Sequence, residues 1–410
     1  MERYDEYKDS GVEWIGEIPA GWEVARIGQV ASLSRQFDSH DNRYVGLENI
    51  ESWTGRYVES DSSYDTSQAV AFDSGDVLFG KLRPYLAKVF EASFSGLCSS
   101  ELLPLTPRRV DGAYLSFCLR SPRFIDVVNE STYGTKMPRA NWQYIRRLQI
   151  PLPPRNVQAA IASFLRSRTY EIDGVIADCE REIELLQEYR KAVISEAVTK
   201  GLDPNVPMKD SGIEWIGDIP KFWRLSKVKF AFINRDAARV PIEASKRDQN
   251  SEKLYPYYGA SGVVDYIADF IFDEPLLLIG EDGANLRLRN LPLVYAASGK
   301  YWVNNHAHIL EPSADIEYWY AYYQLELVDL AGYLTGSTQP KLTTEHLSSV
   351  PIVLPSLSEQ RAIVAYLDKK TAEIDAFITD YQSMTDRLRE YRKSLVYEAV
   401  TGKFRVSRRD

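Results

Sequence analysis

The chain has 410 residues, of which 49 are Lys or Arg and 58 are Asp or Glu, giving a formal net charge of −9 at pH 7. Hydrophobic residues make up 44% and charged residues 26%, which is typical of a folded soluble protein long enough for two or more domains. The acidic balance excludes a protein that coats nucleic acid by bulk electrostatic attraction, but it leaves room for DNA binding by local basic patches.

Cysteine usage and the N-terminus predict where the protein works. Cys98, Cys118 and Cys179 are an odd number of thiols without paired metal-ligand spacing, which indicates a reducing compartment. The first residues are charged and no apolar stretch follows them, so we expect neither a signal peptide nor a membrane anchor. Both features predict a cytoplasmic protein.

A long segment occurs twice in the chain. Residues 8–19 read KDSGVEWIGEIP and return at 209–220 as KDSGIEWIGDIP, an offset of 201. Further matches follow at an offset of 202, namely EYRK at 188–191 and 390–393 and EAVT at 196–199 and 398–401. Residues 23–133 and 224–335 lie between these repeats and barely resemble each other. Because the period is far longer than that of a solenoid repeat, the chain is interpreted as two duplicated units with constant frames and divergent inserts.

In chain order, the first insert is predicted to be rich in short strands. Apolar or β-branched segments bounded by Gly, Asp or Ser predict strands at 69–72 and 77–79, whereas 114–119 has helical character. The second insert repeats this mixture, with strands predicted at 276–279 and 302–310 and a helix at 318–330. Each insert is therefore expected to be a compact α/β or α+β globule.

A long helix is predicted to follow each insert. From residue 157 to about 199, apolar residues recur in steps of three, four or seven, which is the seam pattern of a coiled coil. Prolines precede the first helix, a proline with two serines precedes the second, and Gly201 and Gly402 stop them. A helix of about 40 residues is roughly 60 Å long, too long to be covered by one small domain.

The second helix carries the same seam, so the likeliest partner of each helix is its copy. We predict an antiparallel coiled coil that places the two inserts at opposite ends of a rod. The alternative is that each helix packs on its own insert or in a homodimer. The predicted domains are a first insert with its leader (1–154), a central helix (155–202), a second insert with its leader (203–354) and a distal helix (355–410), related by a pseudo-twofold internal repeat.

Motifs for catalysis are weak. Residues 75–82 approach the spacing of a nucleotide-binding loop, but Leu82 stands where magnesium binding needs Ser or Thr. The segment is better interpreted as a strand and tight turn that project Lys81, Arg83 and Tyr85. His306 and His308 alternate along a predicted strand, which would put them on one face, but no third ligand of metal-site spacing accompanies them. We therefore predict no metal site and no catalytic residue.

Candidate DNA contacts lie in loops. A loop of the form glycine, hydroxyl, two variable residues, proline and cation occurs at 134–139 and again at 336–341. Such a loop suits close approach to a phosphate, although it could equally be a turn that leads into the frame. Other loops differ between the copies, as base-reading loops should, and the stretch 34–43 is one of them.

The side chains chosen as candidates can contact phosphate or base edges, although any single one could be an ordinary solvated loop residue. They are Lys81, Arg83, Tyr85, Thr135, Lys136 and Arg139 in the first insert and Tyr257, Ser261, Asp282, Asn285, Asn304, Asn305, His306, Ser337, Gln339 and Lys341 in the second. A rival interpretation is a non-enzymatic coiled-coil scaffold whose inserts bind protein or RNA. A fused methyltransferase is disfavoured because the Asn-Pro-Pro-aromatic and Asp-Pro-Pro-aromatic elements do not occur.

The duplicated leader, the repeated glycine-to-cation loop and the EYRK and EAVT helix ends together resemble the DNA-specificity subunit of type I restriction-modification enzymes. The resemblance covers nearly the whole chain. It implies two target-recognition domains that each read one half of a bipartite, asymmetric double-stranded DNA sequence, with the paired helices as a spacer ruler.

The resemblance also implies partners and cofactors. A subunit of this family binds two methyltransferase subunits and recruits restriction subunits that translocate DNA. The chain itself is expected to bind no cofactor, whereas its partners would use S-adenosylmethionine, ATP and Mg²⁺. The isolated chain would be non-catalytic, and the assembled complex would be a site-specific deoxyribonuclease and adenine-N6 methyltransferase.

Overall fold

A computed structural model describes residues 2–34, 43–60, 69–134, 136–243, 254–336 and 338–406. The chain forms two compact units. Unit 1 comprises Met1–Glu182 with Tyr381–Asp410, and unit 2 comprises Ile183–Asp380. Each unit therefore contains one leader, one insert and a part of both long helices.

Unit 1 begins with the leader strands and ends its insert with the strand before the first long helix. Its strands are β1 (Tyr7–Asp9), β2 (Glu17–Pro19), β3 (Glu23–Arg26), β4 (Ala31–Leu33), β5 (Tyr44–Val45), β6 (Val70–Phe72), β7 (Val77–Gly80), β8 (Val89–Glu91), β9 (Gly96–Cys98), β10 (Leu102–Pro107) and β11 (Gln149–Leu152). Its helices are α1 (Ile27–Val30), α2 (Gly112–Leu119), α3 (Pro122–Glu130), α4 (Trp142–Ile145) and the first part of α5 (Arg155–Lys200), with 3₁₀ turns at Leu47–Asn49 and Pro84–Leu86.

The core of the first insert is a four-stranded antiparallel sheet in the order β4-β10-β7-β8. Strand β7 is buried along its whole length, and α2 packs against the sheet. A second sheet has the order β5-β9-β6, in which β5 and β9 are parallel. Strands β3 and β11 pair to close the insert on its frame.

Unit 2 repeats this order of elements. Its strands are β12 (Met208–Asp210), β13 (Asp218–Pro220), β14 (Arg224–Lys227), β15 (Phe232–Asn234), β16 (Tyr255–Gly259), β17 (Gly262–Ile267), β18 (Leu276–Gly280), β19 (Val294–Ala297), β20 (Trp302–Val303), β21 (Ala307–Pro312), β22 (Leu334–Thr335), β23 (Lys341–Leu342) and β24 (Pro351–Leu354). Its helices are α6 (Val228–Ala231), α7 (Asn285–Leu288), α8 (Tyr318–Leu327), α9 (Thr344–Ser349) and the first part of α10 (Leu357–Val400), with 3₁₀ turns at Asp236–Ala238 and Ala331–Tyr333.

The second insert contains the same four-stranded sheet, in the order β15-β21-β18-β19. The smaller sheet differs, because β16 is its central strand and pairs with β17 on one side and, in parallel, with β20 on the other. The two inserts therefore share a core sheet despite their divergent sequences and differ in the sheet beside it. The mixed α/β fold class predicted from the sequence is confirmed.

The long helices are antiparallel within each unit, as predicted. In unit 1, Asp173 of α5 pairs with Arg392 of α10, and Glu180 pairs with Arg389, so the residue numbers run in opposite directions. In unit 2, Arg190 of α5 pairs with Asp375 of α10. The predicted seam is buried near the inserts, with Ile161 and Leu165 in unit 1 and Ile363 and Leu367 in unit 2, whereas its middle residues, such as Ile176 and Ile378, are half-buried.

A fully buried tyrosine joins each insert to its frame. Tyr114 on α2 donates its hydroxyl to the carbonyl oxygens of Pro151 at 3.1 Å and Val400 at 3.0 Å. Tyr320 on α8 does the same in unit 2, bonding Val353 at 3.0 Å and Val198 at 3.1 Å. The acceptors correspond in the two copies. Each tyrosine thus connects its helix in the insert to both the closing strand and the end of a long helix.

The ends of the long helices follow the capping chemistry expected of their sequences. Ser356 accepts the amide of Glu359 while the Glu359 carboxylate accepts the Ser356 amide, a reciprocal capping box for α10. Gly201 and Gly402 adopt left-handed φ values of 80° and 70° after α5 and α10.

Two predicted elements are shorter than expected. The strand predicted at 302–310 is interrupted between β20 and β21, because the side chain of Asn304 accepts the amide of His306 and turns the chain. The helix predicted at 318–330 ends at Leu327, where the backbone of Val328 becomes extended. The other strands and helices predicted in the inserts are present.

Candidate nucleic-acid interface

The end of β7 meets the repeated loop of the first insert. The Lys81 amide donates to the Glu101 carbonyl at 3.0 Å, and the Ala140 amide donates to the Lys81 carbonyl at 2.8 Å. The Arg83 amide donates to the Pro138 carbonyl at 2.8 Å, and Leu82 forms a β-bridge with Arg139. We call this assembly of 81–85, 101 and 133–140 cradle 1. The predicted strand and turn at 75–82 are present in it.

Cradle 1 displays cations and one aromatic ring. Arg83, Tyr85 and Lys136 are exposed, and Lys81 is partly exposed. Arg139 differs, because its guanidinium forms a two-point contact with both carboxylate oxygens of Glu101 at 3.2 Å, so its charge is already neutralised. Cradle 1 therefore brings five predicted site residues together. Thr135 lies outside the described residues.

The end of β18 meets the second copy of the loop in the same way. The Glu281 amide donates to the His306 carbonyl at 2.8 Å, and the Leu342 amide donates to the Glu281 carbonyl at 2.8 Å. The Gly283 amide donates to the Pro340 carbonyl at 3.1 Å, and Asp282 forms a β-bridge with Lys341. We call 281–283, 306 and 336–342 cradle 2. Its backbone bonds reproduce those of cradle 1 one for one.

The side chains of cradle 2 have a different character. Glu281 stands where cradle 1 has Lys81, and it binds Arg239 at 2.6 Å and Lys341 at 3.1 Å. Asp282 stands where cradle 1 has Leu82, and it binds Nδ1 of the exposed His306 at 2.7 Å. Gln339 is exposed in the loop, whereas Ser337 lies outside the described residues.

The carboxylate of Glu281 in cradle 2 is stabilised in its charged form by Arg239 and Lys341. Burial raises the pKa of Glu281, but the hydrogen bonds from Arg239 and Lys341 outweigh it and hold the pKa below its ordinary value. The cation of the repeated loop is thus paired with a carboxylate in both cradles, from Glu101 in one and from Glu281 in the other. The groups left open to a ligand are cationic in cradle 1, and in cradle 2 they are the Asp282–His306 pair and Gln339.

The remaining predicted site residues lie away from the cradles or are occupied by structural bonds. Tyr257 is only 1% exposed and its hydroxyl accepts the Ile242 amide, so it is a core residue of the second insert. Asn304 is 8% exposed and caps the turn to His306. Asn285 uses its side chain to bond the backbone of Leu291. Two predicted residues remain exposed, namely Ser261 in the turn after β16 and Asn305 before β21.

The prediction that His306 and His308 lie on one face of a strand is wrong. His306 lies in the turn before β21 and is exposed, whereas His308 lies on β21 and is fully buried. Nδ1 of His308 is 2.6 Å from the Asp236 carboxylate and Nε2 is 2.8 Å from the Leu342 carbonyl, so both ring nitrogens face acceptors. His308 therefore joins cradle 2 to the core through both ring nitrogens.

Electrostatics in this network favour the charged carboxylate. Burial alone would raise the pKa of Asp236, but hydrogen bonds from His308 and from the Ile309 amide lower it to about 2. Asp236, Arg239 and Glu101 support the cradles and were missed by sequence reasoning. They lie tens of residues from their partners, so no local spacing marks them. Two exposed apolar side chains, Tyr133 and Met137, flank the loop of cradle 1 and were missed as well.

A model of the family described as the type I restriction modification DNA specificity domain matches residues 19–177 and 236–380, which together exceed half of the chain. The chain belongs to this family. The resemblance drawn from the duplicated leader, loop and helix ends is thereby confirmed.

Relatives within the DNA-specificity family align over different shares of the chain. The type I restriction enzyme MjaVIII specificity subunit of Methanocaldococcus jannaschii is 24% identical over 95% of this chain and 94% of its own length. The putative specificity subunit S.HindORF215P of Haemophilus influenzae is 35% identical, but over only 33% of this chain and 34% of its own length.

Solved structures share the fold of this specificity-family chain. One, described as the structural basis underlying complex assembly and conformational transition of the type I R-M system, gives a TM-score of 0.74 at 20% identity and covers 94% of this chain and 99% of that chain. The HsdS subunit from Thermoanaerobacter tengcongensis gives a TM-score of 0.51 at 20% identity, covering 94% and 98%.

No described helix has both the length and the apolar character needed to cross a membrane. Likewise, no group of three or more His, Cys, Asp or Glu residues in the described ranges is placed to hold a metal ion.

Proposed function

We propose that this member of the specificity family is the double-stranded DNA-binding specificity subunit of a type I restriction-modification complex, and that each unit reads one half of a bipartite, asymmetric target. The observation that carries the proposal is the pair of cradles. Their backbone hydrogen bonds match one for one, yet one exposes cations and the other an acidic and imidazole pair. A common scaffold with different side chains is what two unlike half-sites require.

The charge of the chain agrees with a division of labour in DNA binding. The net charge is −9, and the loop cations Arg139 and Lys341 are already paired with carboxylates. Phosphate contacts usually dominate the affinity of DNA-binding proteins. We therefore propose that partner subunits supply most phosphate contacts and that the cradles supply base readout.

The long helices would fix the spacing between the half-sites and bind two methyltransferase subunits. Restriction and translocation subunits would join this core. In the proposed complex these partners use S-adenosylmethionine, ATP and Mg²⁺ for adenine-N6 methylation and DNA cleavage in the cytoplasm. The chain itself would contribute recognition and no chemistry.

The test is to sequence the methylated adenines in cells that carry the complex, first with the natural chain and then with residues 23–149 exchanged for the insert of another specificity subunit. We expect a bipartite motif in the first case and a change in one half only in the second. Insertion of one heptad into α5 should change the spacer or abolish methylation while leaving both half-site sequences intact. Methylation without a bipartite motif, or a change in both halves after the exchange, would overturn the proposal.

A binding measurement separates this function from that of a scaffold. The assembled complex should prefer its bipartite duplex over a scrambled duplex, and the affinity should fall steeply as salt is raised. A coiled-coil scaffold whose inserts bind protein or RNA would show no preference between the two duplexes.

A further inference from the structure

Arg83 has a backbone conformation that disfavours a side chain. Its φ is 50° and its ψ is 61°, in the left-handed region, where glycine is the usual residue. It stands immediately before the 3₁₀ turn Pro84–Leu86. An arginine here costs conformational energy, and such costs are characteristically retained at functional positions.

The second copy shows what the position requires structurally. Gly283 occupies the equivalent place in cradle 2, where its amide bonds Pro340 as that of Arg83 bonds Pro138. Its φ is 108°, so the second copy also needs positive φ and meets the need with glycine. The turn therefore needs no arginine in order to form.

A second left-handed arginine gives a useful contrast. Arg289 has φ 53°, and its guanidinium donates to the backbone carbonyls of Val328 and Glu326 and pairs with the Glu326 carboxylate. Its side chain is thus bonded within the protein. Arg83 is exposed, and its guanidinium makes no hydrogen bond or ion pair with any described residue. A strained arginine that has no partner among the described residues is a candidate to contact a ligand.

The partner can be inferred from the surroundings. Arg139, the other arginine of cradle 1, is held by Glu101, so Arg83 is the exposed guanidinium that cradle 1 offers. An arginine presents two parallel N–H groups, and in the major groove of DNA the matching pair of acceptors is O6 and N7 of guanine. A phosphate can also accept these two donors, but a phosphate contact would weaken binding to all sequences alike, so the two partners are distinguishable.

We infer that Arg83 is a specificity-determining residue of unit 1 and that the half-site read by this unit contains a guanine contacted by its guanidinium. Because cradle 2 has Gly283 at the equivalent place, its half-site has no guanine read in this way. The inference deepens the proposed function and rests on it.

The test uses the complex assembled with the full chain and a panel of duplexes that differ at single positions of the unit 1 half-site. For the natural chain, replacement of one guanine should weaken binding roughly 5- to 150-fold. Replacement of that guanine by 7-deazaguanine, which lacks the N7 acceptor, should also weaken binding. Arg83→Gly should lose both effects and keep the preferences at every other position, and Arg83→Lys, which keeps the charge but not the planar pair of donors, should reduce both effects.

Folding and charge are controlled separately. Arg83→Gly should unfold at the same temperature as the natural chain or higher, because glycine relieves the left-handed strain at little structural cost. Arg109→Gln removes an exposed cation beyond the far end of β10 and should leave all base preferences unchanged.

The inference is overturned if Arg83→Gly weakens binding to all duplexes equally and lowers the salt dependence by about one phosphate contact, since the residue would then bind the backbone. It is also overturned if Arg83→Gly still discriminates against replacement of every guanine of the unit 1 half-site that the natural chain requires. Absence of any bipartite preference in the natural complex would instead remove the proposed function itself.

Discussion

Two equivalent ion pairs between the long helices should contribute unequally to stability. Asp173 and Arg392 in unit 1 correspond at the repeat offset to Asp375 and Arg190 in unit 2. Both pairs are two-point contacts, at 2.7 and 3.1 Å in unit 1 and at 2.9 and 3.3 Å in unit 2. Their geometry is thus similar, and their difference lies in exposure to solvent.

The magnitude follows from that exposure. The side chains of Arg392 and Asp173 are 8% and 31% exposed, whereas those of Arg190 and Asp375 are 36% and 51% exposed. Exposed pairs usually couple by about 0.2–1 kcal/mol, and hydrogen bonds to charged groups in a less solvated setting contribute about 1.5–3 kcal/mol. We expect a coupling near 2 kcal/mol in unit 1 and near 0.5 kcal/mol in unit 2.

Double-mutant cycles measure these couplings directly. Each residue of a pair is changed to Ala singly and together, and the free energy of unfolding is obtained from denaturant titrations. The cycle cancels the separate bond from Arg392 to the Trp53 carbonyl, at 3.0 Å, because that bond is lost in every variant that lacks Arg392. Raising the salt to about 1 M should remove the coupling in unit 2 and leave most of it in unit 1. Equal coupling energies, or a larger one in unit 2, would refute the argument that the more buried ion pair is the stronger.

Three further outcomes are expected. Asp236→Asn should lower the free energy of unfolding at pH 7 by about 2 kcal/mol, because the pKa of Asp236 is about 2 when folded and about 3.9 when unfolded. This contribution is complete above about pH 4 and is lost as the pH falls through 2. The free energy of unfolding of the variant should therefore fall less steeply with decreasing pH than that of the natural chain. Arg120→Glu should destabilise unit 1 by about 1–3 kcal/mol, because the carboxylate would be desolvated at this site, would face Glu91 and Asp173, and could not donate the hydrogen bonds that Arg120 gives to Ser116; unchanged or higher stability in calorimetry would contradict this. Tyr114→Phe and Tyr320→Phe should each lower the free energy of unfolding by a similar amount, about 1–3 kcal/mol, since each hydroxyl bonds two buried carbonyls. Clearly unequal losses in denaturant titrations would show that the two tyrosines are not equivalent.

The frame could be predicted from the sequence because its signals are local or exactly repeated. The heptad seam identified the long helices, and their starts and stops followed from capping residues such as Ser356 and Gly402. The pairing of the helices followed from the two seams in one chain, and the antiparallel order followed from each helix leaving its own insert. These features need only periodicity and short-range hydrogen bonding, so tertiary structure does not override them.

The shared sheet of the inserts could not be predicted in the same way. Strands β7 and β18 take the same place in their sheets, but both are buried apolar runs whose residues are interchangeable so long as volume is kept. Sequence similarity is therefore lost while the topology remains. The smaller sheets differ in their central strand, which is a question of long-range pairing that a single sequence does not specify.

The candidate site residues stay predictions, but the structure shows which of them lie together. The two repeated loops and the turn at Arg83 were singled out as candidate DNA contacts, and the structure places the loop at 134–139 beside that turn. Whether each cation is open to a ligand depends on carboxylates far away in sequence: Arg139 meets Glu101 and Lys341 meets Glu281. Such pairs form only when strand ends converge, so local spacing could not separate the occupied Arg139 from the open Arg83.

The contacts between insert and frame explain how the inserts can diverge while the frame is repeated. Tyr114 and Tyr320 bind the frame through backbone carbonyls, which every frame sequence provides. Gln158 and Gln360 reach back from the long helices to backbone amides of the inserts at 2.8 Å, again without reading a side chain. These bonds ask the insert only for a tyrosine and a matching backbone, so the part of its surface away from the frame is free to change. The cradles lie on that remaining surface, so their side chains can differ without disturbing the contacts that hold each unit together.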